Sequence, residues 1–278
     1  MKWNIVCDSA CDILTLKHMR EDTMFSIAPI KIRLGDKEYS DDENLDVEGL
    51  IADMRVNKGP ASSACPAPFE YADLFMKADN TICITITKQL SGCYNSAATA
   101  KEMVLEQHPE KKIHIVNSRA TSGELILLAM KVNELINRDK TFEEVVNEIE
   151  QYNQGLQLTF CLGSYDALIK AGRMSPIVGS VASALKIKAI AIRTVQGEIS
   201  VVGKVRGENA ALNYLVKQMS EVKDLTKAKI IISHCHYEEG AKKMKAMLNE
   251  MGAYNVFILP TRGLCSYYTG EGGIIIAY

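Results

Sequence analysis

Short β-rich runs and helical stretches alternate through the first half of this chain at the spacing of strand, crossover helix and returning strand. Trp3–Cys7 and Ser26–Arg33 read as strands, and Asp46–Asn57 as a helix capped by Asp46. Pro66 and Pro68 open a helix through Ala78, in which Phe69, Ala72, Phe75 and Met76 recur at helical spacing. Thr81–Thr87 is the next strand, and Ser91 starts a helix that reaches Gln107 and stops at Pro109. Ile113–Asn117 then reads as a strand and Ser122–Asn137 as a helix. Thr141-Phe142-Glu143-Glu144 forms a capping box that opens a helix ending near Gly155. Such alternation predicts βαβ units and a mostly parallel sheet flanked by helices.

The second half reads differently. Leu156–Gly163 is a strand, Asp166–Ala171 a short helix closed by Gly172, and Pro176 opens a helix towards Leu185. Lys188–Val195 and Glu198–Val205 are β-rich runs joined by Gln196-Gly197, which signals a hairpin. A helix over Glu208–Val222, a strand over Ala228–His234 and a helix over Glu238–Met251 follow, with strands at Asn255–Leu259 and Gly273–Tyr278. A hairpin mixed with helices predicts an α+β layer. The expected organisation is therefore two domains, 1–155 and 156–278, which a 278-residue chain is long enough to supply.

Composition narrows the function. Lys and Arg number 32 against 34 Asp and Glu, so no basic excess is available to hold a phosphate backbone, and nucleic acid is not an expected partner. Apolar runs such as Ala189–Ile192 fall far short of the roughly 20 residues of a membrane span. The start, Met1-Lys2-Trp3-Asn4-Ile5-Val6, turns polar at Asp8 and does not read as a signal peptide, so a soluble, cytoplasmic protein is expected. Eight cysteines include no Cys-x-x-Cys pair, which argues for reduced thiols. His234-Cys235-His236 is the best metal candidate, but on a strand its histidines share one face and the cysteine points away, and no metal is expected.

Hydroxyl residues stand where backbone N–H groups are free. Leu90-Ser91-Gly92 follows a strand and opens a helix, a position that suits an anion. Ser91 adds a hydroxyl, and Gly92 lets a ligand approach the backbone. Pro60-Ala61-Ser62-Ser63-Ala64-Cys65-Pro66 is a second hydroxyl-bearing segment before a helix. No general base stands beside either, so the serines read as binders or as helix caps. Asp8 and Ser9 after the first strand read equally as caps of the next turn or as ligand-facing groups.

Five motifs occur in order along the chain. They are Asp8-Ser9-x-x-Asp12, Leu90-Ser91-Gly92-x-Tyr94-x-Ser96-Ala97, Lys170-Ala171-Gly172-Arg173-Met174-Ser175, Lys204-x-Arg206-Gly207 and Thr269-Gly270-x-Gly272. Together they resemble the DegV family of bacterial lipid-binding proteins, from Val6 to the end of the sequence. The resemblance implies a two-domain α/β fold holding one long-chain fatty acid in a tunnel between the domains, with no other cofactor and no catalytic residue of its own. The protein would act as a carrier, or as the subunit that presents the carboxylate to a separate ATP-binding fatty acid kinase subunit. By the same resemblance the carboxylate falls to Ser62, Ser91, Gly92 and Tyr268. Asp8, Ser9, Cys93, Arg173 and Thr269 would line or support the pocket, and Arg206 would meet the kinase.

Some positions depart from the family pattern. The family's Thr-Ser-Gln-Pro-Ser-Pro reads Ala61-Ser62-Ser63-Ala64-Cys65-Pro66, its Leu-Ser-Gly-Thr reads Leu90-Ser91-Gly92-Cys93, and its His-Thr-Gly-Pro-Gly reads Tyr268-Thr269-Gly270-Glu271-Gly272. A tyrosine can donate a hydrogen bond to a carboxylate but offers no imidazolium charge. Two other readings stay open. One is an enzyme acting on a small acyl or phosphate substrate through Asp8 or through Cys93, whose place at a helix start would favour its thiolate. The other is a sensor that uses bound lipid as a signal.

Overall fold

The computed structural model describes residues 1–174 and 187–278; Ser175 and the helix expected from Pro176 to Leu185 lie outside the described residues. The first half builds a parallel four-stranded sheet in the order β2 (Thr23–Ala28), β1 (Trp3–Asp8), β6 (Asn80–Thr85), β7 (Lys112–Asn117). Helices α2 (Pro68–Phe75) and α3 (Cys93–Gln107) cover one face, packing Tyr71, Phe75, Ala97 and Val104 against it. The second half builds a six-stranded sheet in the order β10 (Ile199–Arg206), β9 (Ile187–Arg193), β8 (Leu158–Cys161), β13 (Gly273–Ala277), β11 (Ile230–Cys235), β12 (Val256–Pro260). Its neighbours are antiparallel except β11 and β12. Helices α7 (Glu208–Val222) and α8 (Glu238–Glu250) cover its outer face. The mixed α/β architecture is the expected one.

Between the sheets lies α4 (Gly123–Asn137), which contacts β1 and β6 on one side and β11 and β13 on the other. Leu125, Ile126, Leu127, Leu128, Val132 and Ile136 are all buried, as a helix flanked by two apolar layers requires. Its start comes so close to the second sheet that a Cβ at Gly123 would lie 2.8 Å from Cβ of Ile231. One apolar cluster thus runs from Ile5 and Ile82 through α4 to Phe160 and Ile275. The helix α5 (Phe142–Gly155) packs on α4, and its capping box forms as read: Thr141 N–H donates to Glu144 Oε2 (2.8 Å) and Glu144 N–H to Thr141 Oγ1 (3.3 Å).

Three elements depart from the sequence reading, and all bear on the site. Ser26–Arg33 is not one strand. Pro29, lacking an N–H, ends β2, and the chain leaves the parallel sheet to form β3 (Lys31–Leu34). A small antiparallel sheet β4 (Lys37–Ser40), β3, β5 (Ala61–Ala64) results, whose outer strands the sequence did not announce. The loop before β13 holds an unexpected short helix, α9 (Gly263–Thr269). The remaining helices are α1 (Val47–Val56), capped by Asp46 as read, and α6 (Asp166–Lys170). Among the described residues no helix is long and apolar enough to cross a membrane.

Candidate functional site

A cavity of about 310 Å³ opens among the ends of β6 and β8, strand β13, helices α6 and α9, and the β9–β10 turn. Ile86, Leu158, Phe160, Leu168, Leu264 and Ile275 give it apolar walls. Its volume is at the small end of the roughly 300–1,000 Å³ usual for ligand pockets, and a few convergent polar groups in an apolar lining are the usual design.

The polar groups gather where β5, the start of α3 and α9 meet. Ser63 Oγ and Tyr268 Oη are hydrogen-bonded at 2.9 Å, and either hydroxyl can donate. Ser91 lies in the turn after β6, its N–H donating to Thr87 O (3.2 Å), and Gly92 caps α3. A Cβ at Gly92 would stand 3.1 Å from Cys65 Sγ, so glycine here admits the thiol as well as any ligand. Arg173 also faces the cavity and donates from Nε to Leu90 O (3.0 Å), tying the turn after α6 to the start of the Ser91 segment. Thr269 completes this wall.

Five of the residues singled out from sequence are therefore brought together: Ser91, Gly92, Tyr268, Arg173 and Thr269. Ser62 is not among the lining residues. Alternation along β5 leaves Ser62 exposed and turns its neighbour Ser63 towards Tyr268. Asp8, Ser9 and Cys93 are buried behind the walls. Asp8 caps a 3-10 turn by accepting from Ala10 N–H (3.1 Å) and also accepts from Ile86 N–H (2.7 Å), while burial pushes its carboxyl up to about 7. Ser9 Oγ accepts from Ile30 N–H (3.0 Å). Burial also pushes the Cys93 thiol well above its ordinary value, outweighing the helix start that was expected to favour a thiolate. Arg206 is exposed at the end of β10, away from the cavity.

Sequence reasoning did not single out Arg119 and Arg193, which also line the cavity. Arg193 closes β9 and pairs with Glu124 at the start of α4, with Nη2–Oε1 and Nε–Oε2 distances of 2.8 and 3.0 Å. An arginine ending the apolar run Ala189–Ile192 was the one available signal, since a buried guanidinium needs a carboxylate. The β9–β10 turn lines the cavity and docks on the segments that follow β6 and β7. Thr87 Oγ1 donates to Gly197 O (2.9 Å), and a Cβ at Gly197 (φ +92°) would fall 2.3 Å from that hydroxyl. His236 lies beyond the end of β11 with φ +47°, bonded to Glu48, and His234 Nδ1 accepts from Tyr237 N–H (3.2 Å). The described residues contain no group of three or more potential metal ligands.

The fold recurs in solved structures. The Streptococcus pneumoniae fatty acid kinase (Fak) B3 protein, loaded with linoleic acid, shares 34% identity and a TM-score of 0.97 over 100% of this chain and 99% of that one. A DegV family protein of Eubacterium eligens loaded with heptadecanoic acid shares 32% and 0.94 over 99% and 98%. A DegV domain-containing protein of Streptococcus gordonii is 34% identical over 100% of this chain and 99% of its own length. A family model described as "Uncharacterised protein, DegV family" matches residues 2–278. Fold and sequence agree along the whole length: this chain belongs to the DegV family.

Proposed function

We propose that this protein binds one long-chain fatty acid in the cavity between its two halves, residues 1–155 and 156–278, and holds the carboxylate with Ser63, Ser91 and Tyr268. The observation that carries the reading is an apolar cavity lined by hydroxyl residues from three separate segments, Ser63, Ser91 and Tyr268, two of them in hydrogen-bond contact. The structures of relatives loaded with linoleic and heptadecanoic acid support the ligand class. Affinity would come from the tail. Roughly 14 methylenes at about 0.8 kcal/mol each give on the order of 11 kcal/mol before the costs of binding. Hydrogen bonds to the carboxylate, about 1.5–3 kcal/mol each, would supply orientation.

In this reading the protein is a carrier, or presents the carboxylate to a separate ATP-binding kinase subunit that docks near Arg206; it supplies no catalytic group itself. The likeness to a protein named for a fatty acid kinase supports the second role. The alternative, an enzyme using Asp8 or Cys93, loses ground because neither side chain lines the cavity. Calorimetric titration of delipidated protein with oleic acid tests the proposal. Ser63→Ala with Ser91→Ala should weaken binding at least ~tenfold, the worth of one charge-assisted hydrogen bond, while Ser62→Ala leaves it unchanged. Unaltered isotherms for the double variant would remove these serines from the site.

A further inference from the structure

The Asp8-Ser9-x-x-Asp12 motif stays outside the cavity, yet its last member reaches the cavity wall indirectly. Helix α9 supplies Leu264, Cys265, Tyr268 and Thr269 to that wall, four of its seven residues. A helix this short does not hold itself together, and its first N–H groups have no partner within it. Here three consecutive donors are taken by two buried carboxylates. Arg262 N–H donates to Asp12 Oδ1 (2.6 Å), Gly263 N–H to Asp41 Oδ1 (3.1 Å) and Leu264 N–H to Asp41 Oδ2 (2.8 Å).

Each carboxylate is anchored elsewhere. Asp12 follows the turn after β1 and accepts Ser122 Oγ (2.6 Å) at the start of α4. Asp41 follows β4, and its N–H donates to Ile30 O (3.0 Å). A Cβ at Gly263 would lie 2.7 Å from Asp41 Cγ and 2.5 Å from Leu45 Cδ2, so only glycine lets this carboxylate lie against the helix start. At the other end Gly163 N–H donates to Thr269 O (2.8 Å).

We infer that Asp12 and Asp41 are positioning residues for the ligand site, fixing the start of α9 so that Tyr268 faces Ser63 and the bound carboxylate. The inference rests on the reading of Tyr268 as a carboxylate ligand. Successive residues of a helix are about 100° apart, so a small rotation at Arg262–Leu264 carries the Tyr268 hydroxyl off the Ser63 wall. Asp41→Asn puts an NH₂ donor against a backbone N–H, and Asp12→Ala removes the acceptor of Arg262 N–H; either frees the helix start.

Four proteins, wild type, Asp41→Asn, Tyr268→Phe and the double variant, are delipidated and titrated with oleic acid. Asp41→Asn should weaken binding about tenfold in the wild-type background and less than about twofold on top of Tyr268→Phe, because both changes act through the same hydroxyl. Equal tenfold losses in both backgrounds would overturn the inference. Wild-type affinity in Tyr268→Phe would overturn the Tyr268 reading and the inference with it. A second measurement needs no lipid. With 3-fluorotyrosine at position 268, Asp12→Ala, which removes the acceptor of Arg262 N–H, should shift or broaden the fluorine resonance at a temperature where circular dichroism is unchanged. An unmoved resonance would overturn the clamp on its own, whatever the lipid result.

Discussion

Breaking the Glu124–Arg193 pair from one side should cost far more than removing it whole. The two side chains are 0% and 6% exposed, and they join the first turn of α4 to the end of β9 through one hydrogen bond, Nε to Oε2 (3.0 Å), and an ion-pair approach of Nη2 to Oε1 (2.8 Å). Arg193 also donates to Leu156 O, so the guanidinium ties three segments together. Arg193→Met leaves the Glu124 carboxyl buried without its counter-charge, a loss of about 3–5 kcal/mol. At about 2–4 °C per kcal/mol for larger domains, the melting temperature should fall by on the order of 10 °C. Arg193→Met with Glu124→Leu leaves no buried charge and should recover more than half of that loss. Because Arg193 lines the cavity and methionine is apolar, the double variant should keep its affinity for oleic acid. Urea unfolding followed by circular dichroism measures Arg193→Met, Glu124→Leu and the double variant. A single-variant cost below about 1 kcal/mol, or a double variant as costly as both singles added, would refute the argument.

Burial pushes Asp8, Asp12 and Glu124 each up to about 7, so each binds its proton more tightly folded than unfolded. Their contribution is fully present below the unfolded value near ~4 and lost as pH rises through about 7. His234, whose charged form burial disfavours, works in the opposite sense, one group against three. The melting temperature should therefore fall from pH 5 to pH 8, and a flat or rising profile would contradict the assignment. Gly197→Ala should lift the β9–β10 turn from Thr87 and Arg119, lowering stability by about 1–3 kcal/mol and speeding lipid release. Unchanged release of a fluorescent fatty acid would show that this turn does not close the cavity. If a kinase subunit docks near Arg206 as proposed, Arg206→Ala should leave lipid affinity intact while abolishing any kinase-dependent phosphorylation of added fatty acid; loss of both would assign that arginine to the fold or the pocket.

The layers were legible in the sequence because they obey local rules. Asp46 and the Thr141–Glu144 box mark helix starts with their own side chains, and Gln196-Gly197 marks the hairpin that forms between β9 and β10. The site was legible only in part, since its polar wall depends on elements without a local signature. Ala61-Ser62-Ser63-Ala64 has no apolar alternation, so nothing in the segment says it is a strand or which serine faces inward; pairing with β3 settles both. Helix α9, Gly-Leu-Cys-Ser-Tyr-Tyr-Thr, is buried on nearly every side and capped by carboxylates more than 200 positions away, so neither amphipathic period nor local cap announces it. The motifs pointed to Tyr268 and Ser91, which line the cavity, where composition alone would not have. They pointed to Ser62, whose neighbour Ser63 is the one that lines the cavity, and one residue in a strand is the opposite face.

The central claim is a fatty acid in this cavity, and mass spectrometry of the purified protein, native and then denatured, tests it most directly. The account predicts a native mass exceeding the chain by one fatty acid, released on denaturation in near-stoichiometric amount. It also predicts that Ser63→Ala with Ser91→Ala and Tyr268→Phe carries markedly less. A protein that emerges empty and takes up no oleic acid when it is added would contradict the account.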